Sequence, residues 1–247
     1  ASVMTAEHPD PTGYGRIIRG DDASLLRIVE ERDADEIQRD IIEVNSGVYA
    51  FDAAKLASAI GKLKNDNSQG ELYLTDVIEI LRNEGGKIAA VLIDDFIEIL
   101  GVNDRVQLAE SASLLRDRIN EDLMKSGVTI VDPLSTWVDA TATIAPDVVL
   151  APGTAIHGAT TIASGAVIGP RTTLIDCTVA ANARVLESQC TEAVIGEGVN
   201  VGPYSYLRAG TKLLSGSKVG AYVEMKNATL GEGSKVPHLS YVGDAII

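Results

Sequence analysis

From Ile144 onward a large aliphatic residue returns at every sixth position: Ile144, Leu150, Ile156, Ile162, Ile168 and Leu174. The step shortens to five at Val179, is six again at Val185, and is interrupted by an insert around ESQCTEA, residues 187–193. It then runs Ile195, Val201, Leu207, Leu213, Val219 and Met225, slips by five to Leu230, and continues through Val236 and Val242. Four residues after each anchor of the two regular runs stands a small or β-branched residue, as at Thr154, Ala166, Ser205 and Ser217. Such a period is neither that of a helix nor that of an alternating strand. It predicts a hexapeptide solenoid, in which three short strands make one triangular coil and each aliphatic side chain stacks inward on its equivalent one coil away. Gly, Asn, Asp and Pro, as in APGT, ASGA and GEGV, supply the corners. Residues 144–247 would make about six such coils.

The first half has another grammar. YGRIIR, LLRIVEE, VNSGVYAF and KIAAVLIDDFIEILGV read as strands, AAKLASAIGKL and LYLTDVIEILRNEG as helices. The second helix places Leu74, Val77, Ile78 and Leu81 on one apolar face and has Gly85 beyond its end. Together they predict a partial α/β domain over residues 1–103. VNDRVQLAESASLLRDRINEDLMKSG reads as one linking helix, residues 104–128, with Asp104 as N-cap and Gly127 as stop. The solenoid domain then occupies 129–247, with Trp137 packing at the join.

Charge narrows the partners. Residues 129–247 hold 7 Lys+Arg and 10 Asp+Glu, a charge of −3, which leaves −11 of the chain's −14 on the first 128 residues. That excess disfavours nucleic acid and anionic membrane, which want a basic face. No run is long and apolar enough to span a membrane, and two cysteines, Cys177 and Cys190, read as reduced thiols of a cytoplasmic protein. The chain opens on ASVMTAEHPD without an initiator Met and closes on GDAII inside the repeat, so it reads as an internal segment of a longer protein.

Within the repeat, Arg208 and Lys226 each follow an anchor directly and lie eighteen residues apart, which is three hexapeptides. They should stack on adjacent coils of one face, as solvated surface charges or as a two-cation cradle for a phosphate. His238, in GSKVPHLSYVGD, follows the anchor Val236 by two and need not fill the interior. Packing, metal ligation and proton transfer are its three possible roles, and ligation lacks a Cys or second His at suitable spacing. His8 and His157 receive no role, and Lys212, Lys218 and Lys235 read as surface.

The segments GYGRI, IVEERDA, EVNSGVYAF, ELYLTDVI and GVNDRVQLAE resemble, in order, a bacterial sugar-1-phosphate uridylyltransferase domain. GPYSYLRAGT and GAYVEMKNATLGEGSKVPHLSYVGDA resemble the acetyltransferase domain of the bifunctional N-acetylglucosamine-1-phosphate uridylyltransferase/glucosamine-1-phosphate N-acetyltransferase family, its actinobacterial version most. The resemblance implies a Rossmann-like nucleotidyltransferase portion followed by a left-handed parallel β-helix. It implies acetyl transfer from acetyl-CoA to glucosamine 1-phosphate, then uridylyl transfer from UTP with Mg²⁺, in a cytoplasmic homotrimer. His238 would be the acetyl-transfer base; Arg208, Lys226 and Tyr241 would hold the sugar phosphate. Gly15, Glu30, Asn45 and Asn103 would bind the uridylyltransferase substrate, Asn103 also ligating Mg²⁺, with Tyr73 and Thr75 lining the pocket and Glu31 a solvent-facing neighbour. The nucleotide loop, the second Mg²⁺ ligand and the acetyl-CoA contacts fall outside these residues in the family, so the 247-residue chain alone is expected to perform neither reaction efficiently. Ile246 stands where the family usually has an acidic residue. Two rival readings remain: a nucleotidyltransferase whose solenoid only regulates or oligomerises, and a non-catalytic structural solenoid.

Overall fold

The aliphatic period closes into three parallel ladders in the computed structural model, which describes residues 1–247. One face stacks Ile130, Leu150, Ile168, Val185, Val201, Val219 and Val236. The next stacks Val138, Ile156, Leu174, Cys190, Leu207, Met225 and Val242. The third stacks Ile144, Ile162, Val179, Ile195, Leu213 and Leu230. These anchors are almost all buried, and together they form one continuous core. Each such side chain taken from water stabilises by about 1.5–3 kcal/mol. Parallel pairing of a coil on its neighbour satisfies the backbone between them.

Two sequence expectations change. The ladder begins at Ile130, earlier than Ile144, and residues 187–193 are no insert, because Cys190 is itself an anchor in register with Leu174 and Leu207. The irregularity is a run of five-residue steps. Each such step turns on a non-glycine residue with positive φ two places after the anchor: Asp176, Glu187, Glu192 and Asn227, with φ between 43° and 51°. That conformation costs about 1–2 kcal/mol. The backbone N–H of each offsets it by donating to the coil before, as Glu192 does to Ile175 O at 2.8 Å. The small interior residue therefore keeps its distance from the following anchor, two places before it. Cys177 and Ala228 are buried at those steps, where a fixed count of four would choose Thr178 and Thr229. Buried threonine and serine hydroxyls in this row, Ser217 excepted, donate to backbone oxygens, Thr154 to Ala151 O at 2.7 Å and Ser205 to Gly220 O at 2.6 Å.

Residues 104–247 form one compact unit that starts with a helix, Arg105–Lys125, capped by Asp104, whose carboxylate accepts from Gln107 N at 2.8 Å. Its buried Asn120 donates to Pro133 O and Thr136 O, both at 3.0 Å, fixing the segment that enters the first coil. Arg116 lies 5.0 Å over the Trp137 ring. No helix is long and apolar enough to cross a membrane.

Residues 1–103 form the other unit. Five strands, β1 (Ser2–Glu7), β2 (Arg16–Arg19), β3 (Leu25–Val29), β4 (Glu43–Ala50) and β5 (Ala89–Ile93), pair in the order β3-β2-β4-β1-β5, parallel only between β1 and β5. Three helices accompany them: α1 (Glu36–Arg39), α2 (Ala53–Ile60) and α3 (Asp76–Asn83). The short α1, unforeseen in the sequence, is held by a capping box between Asp35 and Gln38. The expected strand 87–102 stops at Ile93, because Asp95 caps a 3-10 turn, Phe96–Ile99, by accepting from Ile97 N at 3.0 Å. The expected helix 72–85 begins late, leaving Leu74 exposed while Val77, Ile78 and Leu81 are buried.

Leu174→Ala should leave a cavity in the solenoid and cost about 3 kcal/mol in urea unfolding. The exposed Leu214→Ala should change stability by less than ~0.5 kcal/mol, and equal losses at both sites would contradict the inward stacking.

Candidate functional site

Register decides where the solenoid's polar groups lie. Tyr206 pairs with Glu224 and Glu224 with Tyr241, one residue before their anchors. Arg208, Lys226 and Gly243 occupy the place one residue after, on the same three coils. Residues flanking an inward anchor point outward, so this face carries two columns separated by roughly 6–7 Å, with coils roughly 4.8 Å apart. Arg208 and Lys226 thus share a face on adjacent coils. Lys226 and Tyr241 are exposed, and Arg208 is partly so.

His238 does not share that face. It ends the strand Lys235–His238, which belongs to the neighbouring ladder, where it pairs with Ala221. Leu239, with φ of 48°, and Ser240 turn the corner from it to Tyr241. The imidazole is exposed, at the edge nearer the Tyr241 column than the cations. Gly220 permits this seat: a Cβ there would meet Pro237 O at 1.6 Å, so only glycine allows the strand to settle on the coil before.

Sequence reading passed over Glu224, which accepts from Arg208 Nη1 at 3.0 Å and so orients the guanidinium. The signal was present, since Glu224 precedes the anchor Met225 as Lys226 follows it.

In the first unit Gly15, Glu30 and Asn45 converge. Asn45 N donates to Gly15 O at 2.8 Å. A Cβ on the buried Gly15 would lie 3.0 Å from Ile28 Cγ2, 3.5 Å from Glu30 Oε2 and 3.6 Å from Asn45 Cβ, so a side chain there would fill the space between them. Thr75 stands at the N-cap position of α3 without capping it, because its hydroxyl donates to Glu30 Oε1 at 2.8 Å. From Glu30 a cleft runs past Asp33 and Tyr73 to Asp66, Asp76 and Glu79. Burial, then the neighbouring carboxylates Glu79, Glu30 and Asp33, push the Asp76 carboxyl above its ordinary value. Such a cleft accepts hydrogen bonds from sugar hydroxyls and repels a phosphate, whose end would have to project away from it.

Glu31 is not the solvent-facing neighbour expected of it. It pairs at 2.6 Å with Arg16, whose side chain is only 2% exposed. Arg16 also donates to the carbonyls of Tyr14 and Arg39, which pins the strand carrying Gly15. His8 is likewise structural in setting: buried, accepting from Asp10 N at 3.0 Å, its ring against Tyr14 and Phe96. His157 lies 3.2 Å from Asp139 on the solenoid surface.

Asn103 is exposed beside the helix cap Asp104. Mg²⁺ wants about six oxygen ligands in octahedral array, carboxylates among them. No group of three or more His, Cys, Asp or Glu side chains gathers to hold a metal, so the residues present do not by themselves fit the ion. Both cysteines are free and buried, and burial raises both thiols, Cys190 well above the usual range.

No family model matches the chain. Curated relatives match it from end to end: the bifunctional protein GlmU of Streptomyces coelicolor is 53% identical over all 247 residues, and that of Mycolicibacterium vanbaalenii 56%. Along its whole length the chain is similar to GlmU proteins. It spans about half the length of these GlmU relatives, 51% and 50% respectively. Among solved structures, GDP-perosamine N-acetyltransferase from Caulobacter crescentus aligns with 67% of this chain and 86% of its own, at 18% identity and a TM-score of 0.40, too distant to bear on the chemistry.

Glu31→Gln should strand the buried Arg16 charge and destabilise the first unit by about 3 kcal/mol in denaturant titration. A loss below ~0.5 kcal/mol would mean that water, and not Glu31, solvates Arg16.

Proposed function

We propose that this chain supplies the sugar-phosphate and base elements of an acetyltransferase that acylates glucosamine 1-phosphate from acetyl-CoA. The observation that supports it most is the pair Arg208 and Lys226 on adjacent coils of one face, with Tyr241 in the next column and His238 exposed at that edge. The cations would take the phosphate, Arg208 pre-oriented by Glu224. The sugar would lie across the Tyr241 column, bringing its amine toward the corner where His238 stands. An ammonium has no lone pair; a neutral imidazole, ordinary pKa ~6.5, can take its proton near neutral pH. The freed amine then attacks the thioester carbonyl carbon, the C–S bond breaks, and the CoA thiolate leaves and regains a proton.

The same reading gives the first unit the sugar end of a Rossmann-like uridylyltransferase domain. Gly15, Glu30 and Asn45 would hold N-acetylglucosamine 1-phosphate for reaction with UTP, Tyr73 and Thr75 lining the wall. A left-handed coil and a homotrimer belong to the same proposal and rest on the likeness to GlmU proteins, whereas Mg²⁺ at Asn103 would need oxygen ligands beyond the residues present. A cytoplasmic setting belongs to the same proposal.

In the complete protein, His238→Ala should reduce acetyl transfer by about a thousandfold, read as CoA thiol release, while uridylyl transfer stays within twofold. Equal loss of both activities would indicate misfolding and remove the base assignment. A sedimentation experiment should give three chains per particle; a monomer active in acetyl transfer would refute the trimer.

A further inference from the structure

One wall of the Gly15–Glu30–Asn45 cluster contains a group with no role so far. β4 and β1 pair with a break in register: Val3 faces Tyr49 and Thr5 faces Asn45, so four residues of β4 span two of β1. The surplus residues bulge at Gly47, φ 78°, and local bonds hold the bulge closed. Asn45 Oδ1 accepts from Gly47 N at 3.1 Å, while Ser46 Oγ donates to Met4 O at 2.7 Å and accepts from Val48 N at 3.0 Å. The bulge draws Tyr49 back beside Asn45. Its ring stacks on Phe51 with centroids 5.4 Å apart, and the residue packs against the apolar cluster that contains Val3, Ile17 and Ile28.

The Tyr49 hydroxyl is buried and has no hydrogen-bond partner. Burial pushes the phenol up to about 12, the neighbouring Asn45 amide working the other way and the Glu30 charge adding to the rise. It is therefore neutral, and a buried hydroxyl without a partner costs stability unless something repays it. The Asn45 amide is the polar group beside it. Because Asn45 Oδ1 is engaged by the bulge, Nδ2 is the end left to act.

We propose that Tyr49 is a positioning residue of the sugar site: when a sugar binds, the Tyr49 oxygen, unpartnered in the free protein, takes one N–H of Asn45 Nδ2 and thereby aims the other at an acceptor oxygen of the ligand. This rests on reading Gly15, Glu30 and Asn45 as a sugar-phosphate site. The ligand group so recognised is an oxygen acceptor, either the acetamido carbonyl or a ring hydroxyl. Glu30, an acceptor itself, takes a hydroxyl donor on the other side, so the pair reads opposite ends of a sugar's hydrogen-bonding pattern.

The test is Tyr49→Phe in the complete protein, with calorimetric titration of N-acetylglucosamine 1-phosphate and of glucose 1-phosphate. Affinity for the acetylated sugar should fall about five- to tenfold. The thermal midpoint should hold or rise, since only an unpartnered hydroxyl is lost. Loss for the acetylated sugar alone assigns the acetamido carbonyl, and loss for both sugars assigns a hydroxyl; either upholds the role. Adding Tyr49→Phe to Asn45→Ala should cause no further loss, because Tyr49 acts through Asn45. Unchanged affinity for both sugars, or a midpoint lowered by several degrees, would overturn the inference while leaving the site. A wild-type protein that bound neither sugar would overturn the site reading and this inference together.

Discussion

Every exposed group of the solenoid owes its position to stacking of one aliphatic side chain on the next along three ladders. Each coil contributes one anchor per face, and the small residue two places before it fills the crowded remainder of the interior. Because the interior is close-packed, an anchor cannot drift by a residue without turning its neighbours inward. That constraint holds through the five-residue steps, where the chain accepts a strained corner at Glu187 or Glu192 and keeps Cys190 in register. Packing outweighs corner strain: about 1–2 kcal/mol at a left-handed residue against a comparable or larger gain for each buried anchor.

The surface chemistry follows from that register. A position flanking an anchor repeats on the adjacent coil at a fixed spacing, so Arg208 and Lys226 form a pair without any contact between them. Glu224 and Tyr241 form the neighbouring column by the same rule. The first unit works differently. Its candidate site rests on departures from regularity: a glycine whose missing side chain leaves room, a threonine that forgoes helix capping to bind Glu30, and a bulge that brings Tyr49 beside Asn45. There the sheet supplies the frame, and irregular local bonds supply the aim.

Legibility differs between the halves for that reason. Period and spacing gave the solenoid, its faces and the coil relation of Arg208 to Lys226, since each depends only on counting from a buried anchor. The same counting failed at Cys190, because a small thiol-bearing residue does not announce itself as an anchor. In the first half the strand over 87–102 was overread: an apolar run cannot tell a strand from a strand followed by a capped turn. Resemblance supplied Gly15, Glu30 and Asn45, yet nothing in their spacing indicated that they meet. Glu31 and Arg16 were missed because an ion pair across two strands has no linear signature.

What the sequence determined alone was the repeat, its side-chain polarity and the likeness of the chain to GlmU proteins, all properties of order along the chain. What tertiary structure decided was proximity between residues that no period connects. His238 sits around a corner from the cations, Arg16 is buried against Glu31, and Tyr49 is drawn to Asn45 by a bulge. The physical reason is that a repeat fixes position through one local rule, whereas these contacts depend on how separate strands pair and where a register breaks.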